Sequence, residues 1–60
     1  MVGKTLKSKI NGSLFFVEEL KSESVFGQYY IIRDMATGQK FASSKGWFEH
    51  GIMQNLEIID

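Results

Sequence analysis

Apolar residues in this chain fall in short runs separated by glycine, asparagine and aspartate, and no stretch holds a helical period for long. "TLKSKI" at 5–10 alternates with period two. "SLFFVEEL" at 13–20 and "QYYIIRDM" at 28–35 are rich in β-branched and aromatic residues, while "KFAS" at 40–43 and "NLEIID" at 55–60 are shorter. Runs of this length bounded by turn residues read as β-strands.

Proline is absent, so glycine and asparagine supply the punctuation. Asn11-Gly12 between the first two runs predicts a two-residue type I′ hairpin. That loop would set Ile10 opposite Ser13, Lys9 opposite Leu14, Ser8 opposite Phe15, Lys7 opposite Phe16 and Leu6 opposite Val17. Cross-strand partners share a side. Leu6, Ile10, Phe15 and Val17 then form the core face, and Lys7, Lys9, Leu14 and Phe16 the other, with lysine stems lying over the apolar pair.

After a loop at "KSESVFG", a second hairpin joins "QYYIIRDM" to "KFAS". Asp34 is placed to accept backbone N–H groups and Gly38 to supply a left-handed residue. A four-residue loop pairs Ile32 with Phe41 and Tyr30 with Ser43, and is favoured over a three-residue loop pairing Ile32 with Ala42. "LFFV" and "YYII" are apolar on both faces, so the sheet either curls to cover both sides or meets another molecule. In "VEEL" the alternation from Val17 falls on Glu19 although Leu20 is the apolar residue; a β-bulge at Glu18-Glu19 restores the pattern.

"SSKGWFEHGI" at 43–52 holds the only tryptophan and the only histidine. Ser44 fits the N-cap of a helix of one or two turns beginning Lys45, Gly46, Trp47, with Gly51 ending it and Ile52 folding back. Adjacent Trp47 and Phe48 cannot both be buried by so short a helix. One is expected to plug the core and the other to face outward. Leu56 and Ile58 against Glu57 make a final strand.

The predicted fold is mainly β: one domain over 1–60, a small antiparallel five-stranded barrel or strongly curled sheet with one short helix before the last strand. This order of two hairpins, a short helix and a closing strand resembles the Src homology 3-like small barrel. The resemblance spans nearly the whole chain and rests on element order. The "ALYDY"-like stretch and acidic loop with which Src homology 3 domains bind proline-rich ligands are absent, and "QYYIIRD" does not replace them. The resemblance therefore implies architecture and no ligand. An open antiparallel sheet with the helix on one face is the alternative.

Composition narrows the function. Sixty residues bury only about 60% of the unfolded chain's surface, and with no cysteine neither a disulfide nor a thiolate zinc site can staple the core. One histidine among scattered carboxylates gives no metal-ligand spacing, and no metal or cofactor is expected. Five phenylalanines, two tyrosines and one tryptophan supply the core area instead. Net charge is zero, which removes a general attraction to nucleic acid or anionic membrane. No apolar run approaches the roughly 18 residues of a membrane span, and "MVGKTLKSKINGS" has no signal-like apolar segment. A cytoplasmic setting is expected.

His50, with Ser43, Ser44 and Glu49 nearby, is the one conceivable catalytic group. A short helix does not align nucleophile, base and orienting acid, and no oxyanion turn accompanies them, so the chain is read as non-enzymatic. The six glycines are dispersed at turns and form no phosphate cradle. Protein binding, including a homodimer, is the leading expectation, because two-sided apolar strands carry more large side chains than a monomer of this size readily hides. Its candidate contact residues are Trp47, Phe48, Tyr29, Tyr30, Phe16 and Leu14. Small, neutral chains of this kind resemble accessory and inhibitor proteins of bacteria and phages. The alternative is single-stranded nucleic-acid binding through Lys4, Lys7, Lys9, Arg33 and Lys40, with the two last cations beside Tyr29 or Phe41.

Overall fold

A computed structural model describes residues 1–25, 27–50 and 52–60. The strands are β1 (Thr5–Ser8), β2 (Leu14–Glu23), β3 (Gly27–Asp34), β4 (Lys40–Ser44) and β5 (Leu56–Ile58). Helix α1 (Lys45–His50) and a 3-10 turn (Ile52–Asn55) stand between β4 and β5. All pairings are antiparallel, in the order β4-β3-β2-β1-β5. Among the described residues no ladder joins β4 to β5, so the sheet is not closed into a barrel.

The second hairpin has the predicted register, with Ile32 opposite Phe41 and Tyr30 opposite Ser43. Asp34 Oδ1 accepts the Ala36 N–H at 2.9 Å, the Gly38 N–H donates to the Asp34 carbonyl at 2.8 Å, and Gly38 takes φ +76°. The first hairpin departs from its prediction. Leu6 faces Phe15 and Lys7 faces Leu14, two residues away from the two-residue-loop register. Its turn repeats the second one: Ser8 Oγ accepts the Ile10 N–H, the Gly12 N–H donates to the Ser8 carbonyl, and Gly12 has φ +77°. Among the described residues no non-glycine residue has positive φ, so Asn11 does not occupy the first centre of a type I′ turn. Its Oδ1 instead accepts the Ser13 N–H at 3.0 Å. An even shift preserves which side each strand residue faces. Leu6, Phe15 and Val17 therefore keep the core side, but Ile10 moves into the turn and is 78% exposed.

The loop predicted over 21–27 is also shorter than expected. Lys21, Ser22 and Glu23 extend β2 and pair with Tyr29, Gln28 and Gly27. The bulge falls where the alternation breaks: Val17 faces Ile32 but Glu19 faces Ile31, leaving Glu18 as the extra residue. Leu20 thereby pairs with Tyr30 on the core side.

Leu6, Val17, Tyr30, Ile32, Phe48 and Leu56 form the buried core, with Met1 and Phe15 packed against it. Helix α1 covers this face. Ser44 caps it as predicted, its Oγ accepting the Trp47 N–H at 3.3 Å. The expected glycine stop at Gly51 and the return of the Ile52 side chain lie outside the described residues.

Candidate interaction surface

Helix α1 begins directly at the end of β4, and two side chains fix its rotation. Phe48 is 1% exposed and its ring meets Tyr30 at 5.4 Å between centroids. Glu49 accepts the Tyr30 hydroxyl at 3.1 Å and the Lys45 ammonium at 2.8 Å. The Lys45 hydrogen bond, seconded by the Tyr30 hydroxyl, holds the Glu49 carboxyl below the ordinary range against its partial desolvation. The same hydrogen bond raises Lys45, and burial followed by the Glu49 contact pushes the Tyr30 phenol up. The i,i+4 spacing of Lys45 and Glu49 was a readable sign of this clamp.

With α1 so oriented, Trp47 projects outward and is 69% exposed. The chain's whole surface, 4,049 Å², matches the roughly 3,950 Å² expected of a folded monomer of this mass. Val2, Ile10, Val25, Met35, Phe41, Ile58 and Ile59 are exposed as well as Trp47.

The six predicted contact residues do not form one patch. Tyr30 and Phe48 belong to the core, because the short helix must seal that face and these two rings meet beneath it. They present no surface to a partner. Tyr29, Phe16 and Leu14 share the opposite face of the sheet, where Phe16 pairs with Arg33 and Tyr29 pairs with Lys21 further along β3. Tyr29 and Phe16 are half-buried and Leu14 is exposed. Of these six, Trp47 alone combines a large aromatic ring with open access.

The cations are also divided. Arg33 lies over the Phe16 ring at 5.7 Å rather than beside Tyr29 or Phe41. Phe41 points to the core side, where it meets Phe15 edge-on at 6.2 Å. Glu18, projected by the bulge, approaches Lys40 at 3.3 Å and Arg33 at 4.0 Å, a pairing invisible without the third dimension. Lys4, Lys7 and Lys9 are exposed along β1 and its extension.

Of the groups near His50, Ser44 Oγ caps α1 and Glu49 holds Tyr30 and Lys45, while Ser43 is buried opposite Tyr30 with no hydrogen-bond partner for its hydroxyl. No helix among the described residues is long and apolar enough to cross a membrane.

Fold and surface together define a small antiparallel β protein with an open five-stranded sheet and a helix presenting one free tryptophan. Comparison with protein-family models, with curated proteins and with solved structures finds no match.

Proposed function

We propose that this chain is a small non-enzymatic protein-binding module that self-associates and acts, as bacterial or phage accessory proteins do, by occupying a partner's surface in the cytoplasm. The observation that carries the reading is Trp47, held outward at 69% exposure by a helix whose neighbouring side chains are anchored inward. Tryptophan is among the residue types that dominate binding energy at interface centres. A tryptophan side chain, with only two torsions to fix, also loses little freedom on contact. The strand order β4-β3-β2-β1-β5, the bulge in β2 and the helical segment before β5 support a Src homology 3-like curled sheet as the scaffold.

Because Trp47 is the sole tryptophan, it reports on its own contacts. Immobilised protein exposed to a bacterial lysate should retain a partner that the Trp47→Ala variant loses and the Ile10→Ala variant, altered at a still more exposed residue, keeps. Titration with that partner should shift the Trp47 emission to shorter wavelength. Retention equal across the three proteins overturns the assignment.

A second reading, single-stranded nucleic-acid binding, is favoured by one contact, the Arg33 guanidinium over Phe16. Glu18 opposes it by compensating both Arg33 and Lys40. Failure to shift a short single-stranded DNA or RNA at about 50 mM salt, where electrostatic affinity is strong, removes this reading.

A further inference from the structure

We propose that a second copy of this chain pairs with the open edge of β4, antiparallel about a two-fold axis at Ala42. The proposal rests on the self-association read above and specifies where it occurs.

The hydrogen-bond phase selects the edge residues. The Asp34 N–H donates to the Gln39 carbonyl at 2.8 Å. Alternation along an antiparallel pair then turns the backbone groups of Phe41 and Ser43 toward β3, and those of Lys40, Ala42 and Ser44 away from it. Among the described residues no strand takes up that outer side. A new ladder must join outward residue to outward residue, and Ala42 is the middle of β4. An axis there uses the whole strand. The two Ala42 residues exchange both backbone bonds, and each Ser44 N–H donates to the Lys40 carbonyl of the other copy. The Ser44 carbonyl stays with the helix it caps.

Side-chain chemistry fits the same register. Beside Ser44 lies an open depression of about 360 Å³ lined by Glu23, Tyr29, Ala42, Ser43 and Ser44. Pairing about Ala42 sets Lys40 of the second copy next to Ser44, so that its stem crosses the Tyr29 ring and its ammonium approaches the Glu23 carboxylate. The two-fold repeats this contact. Lys40 would exchange Glu18 for this contact: its own side chain is 58% exposed, and Glu18 keeps Arg33 at 4.0 Å. On the core side, half-exposed Phe41 comes beside Ser43 of the second copy, and only small methyl groups meet at the axis. An isologous pair of this kind closes on itself and blunts an edge that would otherwise recruit strands indiscriminately.

Light scattering or sedimentation at about 0.5 mM, suited to a small interface of the transient class, tests this. The unaltered chain should be dimeric. Ala42→Pro removes an outward N–H and no internal hydrogen bond, so the variant should keep its circular dichroism and thermal unfolding yet be monomeric. Glu23→Lys should weaken association about tenfold or more, through like charges brought together. Should Ala42→Pro not fold, Ala42→Cys in this cysteine-free chain should oxidise to a linked dimer faster than Ile10→Cys, and equal rates overturn the proposal. A dimer indifferent to Ala42→Pro and Glu23→Lys overturns the β4 edge and leaves self-association standing. A monomeric unaltered chain overturns both.

Discussion

Trp47 and Phe48 are consecutive on a six-residue helix, yet one is 69% exposed and the other 1%. Successive helical residues diverge by about 100°, so sealing the core with Phe48 forces Trp47 away from it. The two rings are therefore separable by mutation. Phe48→Ala should cost about 3–5 kcal/mol. That compares with a total of roughly 3–9 kcal/mol for sixty residues at typical stability, so much of the population should be unfolded at 25 °C. Trp47→Ala should stay within about 0.5 kcal/mol of the parent. Urea titrations followed by circular dichroism separate the cases, and comparable losses for both would sink this division into a buried and an exposed ring.

That one ring is buried and the other exposed was legible in the sequence, but not which was which, because helix rotation is set by Tyr30, nineteen positions before Glu49. Local chemistry was more informative. The bulge followed from a break in alternation at Glu18-Glu19, and the second hairpin from Asp34 and Gly38. The first hairpin misled because Asn-Gly carries the type I′ signal so strongly. The competing signal was Ser8, standing four residues before Gly12 as Asp34 stands four before Gly38, with a side-chain oxygen that closes the same turn. Whether the sheet closes depends on β4 meeting β5, the sum of every strand's twist, and no short stretch encodes that sum.

The repeated turn makes a prediction about glycine. Gly38 has φ +76°, where an L side chain is strained although its surroundings are open. Gly38→Ala should therefore destabilise by about 1–2 kcal/mol. Gly46 lies within α1 without positive φ and a Cβ there would meet nothing within 4 Å. Gly46→Ala should stabilise by about 0.4–1 kcal/mol, through lower entropy of the unfolded chain. Chemical denaturation midpoints should move in opposite directions, and shifts of the same sign would contradict the turn geometry.

The clamp on α1 predicts a pH dependence with two flanks. Glu49 is depressed on folding, so its contribution is present above the unfolded carboxylate value of about 4.3 and is lost as pH falls through the folded value. Tyr30 and Lys45 are raised, so theirs are present below about pH 10 and are lost as pH climbs through their folded values. Glu49→Gln should thus lower stability at neutral pH, and the gap from the parent should narrow on acidification below about pH 4. A gap that stays constant between pH 7 and pH 3 is the contrary result.

Glu18 gives a prediction that bears on the choice between partners. The bulge places its carboxylate against Lys40 and Arg33, with only 22% of the side chain exposed. Glu18→Gln leaves the bulge and the pairing of Leu20 with Tyr30 in place while releasing Lys40 and Arg33, the latter over the Phe16 ring. Stability should change by no more than about 1 kcal/mol, since partly exposed ion pairs contribute little. If nucleic acid is the natural ligand, retention of single-stranded DNA at about 50 mM salt should rise in the variant and fall again with added salt. For a protein-binding module acting through Trp47, Glu18→Gln should leave partner retention unchanged. A loss of retention in Glu18→Gln with none in Trp47→Ala would instead move the contact surface from the helix to the opposite face of the sheet.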